Sequence, residues 1–359
     1  MAKRERLTRQ QRLHKVKLEE KLKNLPPYIE EYKDDMFSGN VSPSTLLGYF
    51  HDFEKFFNWL KAEGIAKVGH IKDISLDTLE KLKLQEANSY FSYLAIDQEL
   101  QDESINRKKS SLKSLFKFLT ERTEDDEGEC YFYRNVMAKV KMKKNTETLD
   151  ARAERISEKI FHGNEIQDFI NFVAFDYPAA VQEQKQKLAY YKRDHERDLA
   201  IIALLLASGI RVSELANLSL SSVNMKKRKL SVLRKGSKEA TVFFRKFALP
   251  YLEEYKRVRN TRYKAKEGNK YYFLTNYKGT AQPLSVRAIQ QLIMKYTESY
   301  RDEKLSPHKM RHSFATEYAK KNSVYDLMRQ LGHTSTETSS LYVNTTEAQA
   351  QQAIDNLDD

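Results

Sequence analysis

Residues 306–316 read SPHKMRHSFAT. Proline's preset φ suits the first turn of a helix, so the stretch predicts a helix that begins after Pro307, with helical patterning continuing over 311–321. His308 and Arg311 lie three positions apart on it and therefore share one face. Two other stretches carry the same residue types. Residues 207–215, ASGIRVSEL, follow a strongly apolar helix predicted over 199–207 that stops at Ser208 and Gly209. Arg211 then projects from the start of a new helical turn, with Glu214 three residues on. Residues 331–344, LGHTSTETSSLYVN, place His333 just past a helix predicted over 324–331, and Tyr342 nine residues later on a short helix or turn. Between these stretches the period changes to two. Residues 229–233 and 240–244 flank Gly236 and Ser237, which predicts a β-hairpin with Lys235 at its tip.

Arg211, Lys235, His308, Arg311, His333 and Tyr342 together meet the demands of cutting and rejoining a phosphodiester through a tyrosine, with no metal. Tyrosine can attack phosphorus, two guanidiniums can hold non-bridging oxygens in fixed fork geometry, and imidazole and ammonium groups can move protons. His312 is read as a structural histidine.

The 359 residues suit two domains with a linker or tail. Sixty-two Lys and Arg oppose 50 Asp and Glu, a net charge of +12, so a polyanionic partner is plausible. The single Cys130 excludes an intramolecular disulfide and a cysteine metal cluster, which suits a reducing cytoplasm. No apolar run is long enough to span a bilayer and the N-terminus has no apolar signal core, so the expectation is a cytoplasmic protein without membrane insertion.

The chain opens on a basic helical extension, residues 1–27, which could follow a phosphate backbone or pack on the first domain. A helix beginning at Ser42 and Pro43 carries Leu46, Leu47, Phe50, Phe53, Phe56, Phe57 and Leu60 as a core stripe and stops near Gly64. A third helix is predicted over 76–94. A fourth opens near Ser104 and displays Arg107, Lys108, Lys109, Lys113 and Lys117. Residues 28–140 thus form a small helical bundle with one basic face. Residues 141–156 read as an interdomain linker and 157–359 as the second domain, opening with a helix over 164–175 and a polar helical insertion over 177–193.

These three boxes and the hairpin lysine resemble those of the tyrosine recombinases of the phage integrase family, and within it the stand-alone Xer type. The resemblance covers the whole second domain, and the helical first domain is similar to the family's core-binding domain. It implies a mainly α fold with a small β-sheet or hairpin, a mixed α/β catalytic domain, and a C-shaped clamp on DNA. It implies site-specific strand exchange through a 3′-phosphotyrosyl intermediate, with Tyr342 as nucleophile, Arg211 and Arg311 on the phosphate, Lys235 as general acid, His308 as acid/base and His333 as a hydrogen-bond donor. Glu214 orients a cation from behind. No cofactor, metal or ATP is implied. The hairpin departs from the family's Gly-Lys-Gly: Arg234 stands where a glycine is usual and adds an expected phosphate contact, while Lys238 competes with Lys235 as the acid.

Arg107, Lys108, Lys113 and Arg287 are the expected DNA contacts. The implied partners are a double-stranded recombination site, a homotetramer on two such sites, and a DNA translocase. Ala350, Ile354 and Leu357 form a tail stripe expected to dock on a neighbouring protomer. The implied task is resolution of chromosome dimers at a dif-like site. Integration of a mobile element, a type IB topoisomerase and a non-catalytic DNA-binding factor are the alternatives.

Overall fold

The computed structural model describes residues 7–144, 146–234, 238–333 and 335–342; Lys235 and the tail stripe lie outside them. The chain divides into two compact units, Met1–Thr146 and Glu147–Asp359.

The first unit is helical: α1 (Arg9–Leu22), α2 (Tyr28–Ser38), α3 (Pro43–Ala62), α4 (Leu76–Glu80), α5 (Leu84–Ile96) and α6 (Asp102–Glu121). Ser42 caps α3 by accepting from the Thr45 amide at 3.2 Å, and Gly64, at φ +70°, receives the chain after its end. The predicted stripe of α3 is the middle of the core, where Phe50, Phe53, Phe56, Phe57 and Leu60 are fully buried. Of the two readings of the N-terminal extension, packing is the one observed: α1 lies on α3, buries Leu18 completely and pairs Lys21 with Glu54. The helix expected over 76–94 is two helices. A turn at 81–83 points Leu82 inward at 1% exposure, and the Glu86 carboxylate then accepts from the Lys83 amide to restart the helix.

In the second unit, α7 (Leu149–Ser157) occupies much of the stretch expected as linker. Thr148 caps it, and Ala153 and Ile156 are buried, an apolar pair too sparse to stand out among its charges. Next come α8 (Glu165–Asn171), a single π turn over Phe172–Asp176 and α9 (Tyr177–Ala180). The apolar helix expected over 199–207 and the polar stretch before it are one helix, α10 (Lys185–Ser208), whose residues 199–208 are buried all round. It ends at Gly209 in the left-handed region, and α11 (Val212–Ala216) follows.

The predicted hairpin forms as β2 (Lys229–Leu233) and β3 (Glu239–Phe243), with Leu230 opposite Val242, and β1 (Val223–Asn224) adds an edge. The helix α12 (Leu249–Tyr263) and a second hairpin, β4 (Leu274–Tyr277) with β5 (Thr280–Pro283), were not anticipated; neither carries a clear apolar period. The unit closes with α13 (Val286–Arg301), α14 (Pro307–Ala319), α15 (Val324–Leu331) and α16 (Glu337–Ser340). α14 packs on α10, and Phe314, Ala315, Leu327, Leu331 and Tyr342 form a small separate core beside it. No helix among the described residues is long and apolar enough to cross a membrane.

Candidate active site

A helix leaves its last carbonyls without partners, and three arginines of the second unit meet at the end of α15. Arg311, 3% exposed, donates through Nη1 to the Gly209 carbonyl at 2.6 Å and through Nη2 to the Leu331 carbonyl at 2.8 Å. Arg211 donates to the Gly332 carbonyl at 3.0 Å. Three segments distant in sequence are thereby brought together. Gly209 is obligatory at this junction: at φ +63° an added Cβ would lie 2.4 Å from the Phe314 ring. Arg211 sits just ahead of α11, where the buried Glu214 accepts both its amide at 3.1 Å and its guanidinium at 3.0 Å.

His333 follows Gly332 and lies beside Arg311, whose Nη2 is 3.1 Å from His333 Nε2. Since that guanidinium can only donate, Nε2 accepts, and Nδ1–H donates to the Ser339 hydroxyl at 2.8 Å. Burial, then Arg311 and Arg211, lowers His333 to about 4. Burial and Arg311 also lower His308, on the first turn of α14. Arg311 itself is brought down to about 10, by burial first and Arg211 next.

Tyr342 is 3% exposed, and its hydroxyl lies 2.5 Å from His312 Nδ1. Burial raises the phenol to about 12, against the opposing pull of Arg311 and Arg152. Burial, then His308, lowers His312 to about 3, so at neutral pH its imidazole is uncharged, and in the tautomer protonated at Nε2 its Nδ1 accepts the tyrosine proton. The His308 ring meets His312 edge-on with centroids 4.3 Å apart. His312, read from the sequence as a structural histidine, lies against the Tyr342 hydroxyl. Its position one residue after Arg311 was the only signal, and spacing alone does not say which side of α14 faces Tyr342. Gln330 was missed as well. Its amide joins the Ser208 carbonyl at 3.0 Å and the Phe243 carbonyl at 2.7 Å, tying α10, β3 and α15 together.

Three expected DNA contacts are differently employed. Lys108 is 4% exposed and pairs with Asp52 at 2.7 Å, which corrects its assignment to the DNA face. Arg107 forks onto the same carboxylate with both bonds at 2.7 Å while half of its side chain stays exposed. Arg234 does not stand open to a phosphate; its Nη1 and Nη2 donate to the Arg329 and Gln330 carbonyls. Arg287 is exposed on α13, and Lys113 is partly exposed with its ammonium 3.5 Å from the Ala138 carbonyl.

Residues 178–349 match the phage integrase family, and residues 29–123 match the phage integrase N-terminal SAM-like domain. The tyrosine recombinase XerS of Streptococcus gordonii is 39% identical over 94% of this chain and 97% of its own length. The chain is a Xer-type tyrosine recombinase of the phage integrase family. The recombinase shares the same identity and coverage with XerS of Streptococcus sanguinis. Its fold is similar to that of the XerH recombinase bound to a palindromic difH substrate, with TM-score 0.62, 18% identity, and coverage of 88% of this chain and 80% of that one. A lambda integrase dimer bound to a COC′ core site gives TM-score 0.56 and 16% identity, covering 89% of this chain and 95% of that one. The recombinase is thus an enzyme of site-specific DNA strand exchange, built from a helical N-terminal domain and a mixed catalytic domain.

Proposed function

We propose that Tyr342 is the nucleophile of a metal-free, ATP-free strand exchange. Its oxygen bonds to the scissile phosphorus as the bond to the 5′-oxygen breaks, leaving a 3′-phosphotyrosyl enzyme and a free 5′-hydroxyl. Attack begins with release of the hydroxyl from His312, which holds the ring until a phosphate arrives. Arg211 and Arg311 bind the non-bridging oxygens, where charge grows in the transition state, and cannot deprotonate at working pH. Once Arg311 turns to the phosphate and the His333 proton shifts from Nδ1 to Nε2, with Nδ1 accepting from the Ser339 hydroxyl, His333 donates a hydrogen bond to the phosphate; His308 moves protons beside the nucleophile, and Lys235 protonates the departing oxygen. Glu214 orients Arg211. A 5′-hydroxyl from a second duplex then reverses the step.

The observation that carries this reading is the convergence of Arg211, Arg311 and His333 on the end of α15, with the Tyr342 ring centroid 6.5 Å from that of His333. Within the chain, residues 28–140 serve as the core DNA-binding domain and 157–359 as the catalytic domain. The assembly is a homotetramer on two sites, in which the tail of one protomer docks on the next. The biological task is resolution of chromosome dimers at a dif-like site in the cytoplasm, served by a DNA translocase; the two XerS relatives support it through near full-length similarity.

A nicked suicide duplex tests the chemistry. A covalent adduct is expected in chelator and is abolished in Tyr342→Phe; an adduct that persists in that variant overturns the nucleophile. Exchange only between two copies of one short site is expected, and relaxation of any supercoiled plasmid would instead indicate a topoisomerase.

A further inference from the structure

We propose that Arg234 is a positioning residue that clamps the β2–β3 hairpin to the end of α15, rather than a contact to DNA. This rests on the recombinase reading and deepens it.

Four consecutive carbonyls at the end of α15, those of Arg329, Gln330, Leu331 and Gly332, each accept from a guanidinium. Arg311 and Arg211 take the last two. Arg234 takes the first two, at 3.1 and 2.6 Å, from the strand end next to the hairpin tip. Three cations at the negative end of one helix are favourable with its dipole and satisfy carbonyls that the helix leaves open.

The seat is built for this side chain. It is 15% exposed, and its Nε lies 3.9 Å from the Glu214 carboxylate, with no hydrogen-bond partner among the described residues. Gly332 leaves the space: a Cβ there would sit 2.2 Å from the Arg234 Nη1. Arg234 spends two of its five N–H groups on backbone carbonyls, as Arg311 does, but its two bonds join the hairpin to the end of α15. The clamp sets the hairpin against the segment Gly332–His333, so that groups from two chain segments meet one phosphate in fixed geometry. A glycine at position 234 could not make it.

Arg234→Ala and Arg234→Lys test the clamp on the full chain with a duplex recombination site. Both variants are expected to bind one site with wild-type affinity and the same salt dependence, while the single-turnover rate of adduct formation falls about 10- to 100-fold. Lysine fails as alanine does because it lacks the fork. A phosphate contact would instead weaken binding and reduce the salt slope by about 1, which overturns the proposal. Gly332→Ala is expected to slow cleavage more in the wild-type background than in Arg234→Ala, because the added Cβ meets the guanidinium only in the former. Equal factors in the two backgrounds sink the contact. If the wild type forms no adduct, the recombinase reading itself fails; if it does and both Arg234 variants keep its rate, the clamp alone fails.

Discussion

The cations around Asp52 in the first unit and those at the end of α15 in the second have opposite character. In the first unit, Arg107 and Lys108 of α6 share the Asp52 carboxylate, and the buried lysine is neutralised where it lies. In the second, Arg211, Arg234 and Arg311 have, among the described residues, one nearby carboxylate, Glu214, and otherwise face neutral carbonyls and the His333 ring. The first cluster is a finished ion pair; the second is an excess of positive charge held on dipoles, which leaves it attractive to an anion. Residue type does not separate the two. What separates them is whether a carboxylate or a helix end receives the charge.

The sharpest way to break this contrast is Asp52→Ala. It leaves the Lys108 ammonium buried and unpaired, and we expect the first unit to lose about 3–5 kcal/mol in denaturant titrations. Pairing Lys108→Met with Asp52→Leu should restore most of the loss, since no charge is then left to bury. In the second unit, Arg311→Ala should lower the adduct-forming rate by about 10²–10³, whereas Arg107→Ala, assayed the same way, should leave that rate unchanged.

His312→Ala removes the partner of the Tyr342 hydroxyl, and the second unit is expected to lose about 1–2 kcal/mol of stability in denaturant titrations. Acid should act on the second unit through His312 and His333, which are held near 3 and 4 against an ordinary 6.5. Below pH 6.5 the unfolded chain takes up protons that the folded site refuses. Stability is therefore full above that pH and falls as pH drops toward 4. Melting temperatures at pH 7 and pH 5 check this, with His312→Asn showing a smaller drop. Smallest of all, Lys113→Ala and Arg287→Ala should each weaken DNA binding a few-fold and reduce the salt slope by about 1.

Much of this was legible. The α3 stripe, the β2–β3 hairpin and the helices after Pro307 and at Val324 follow from period, caps and turn residues, which are local properties. The three boxes were legible because their chemistry depends on residue type. Lys108 misled because its position on α6 looks like its exposed neighbours, and the Asp52 that buries it lies on another helix. α7 misled because its few apolar residues matter only through partners far along the chain, Leu341 among them.

By itself the sequence determined the helical and hairpin segments and the presence of arginines, histidines and a tyrosine suited to phosphoryl transfer. Only the tertiary structure decided what each charged group faces. It brought the end of α15 to three guanidiniums and set His312 against the Tyr342 hydroxyl. The physical reason is range: backbone propensity and capping act over a few residues, whereas burial and charge pairing depend on whatever the packed chain places within a few ångströms.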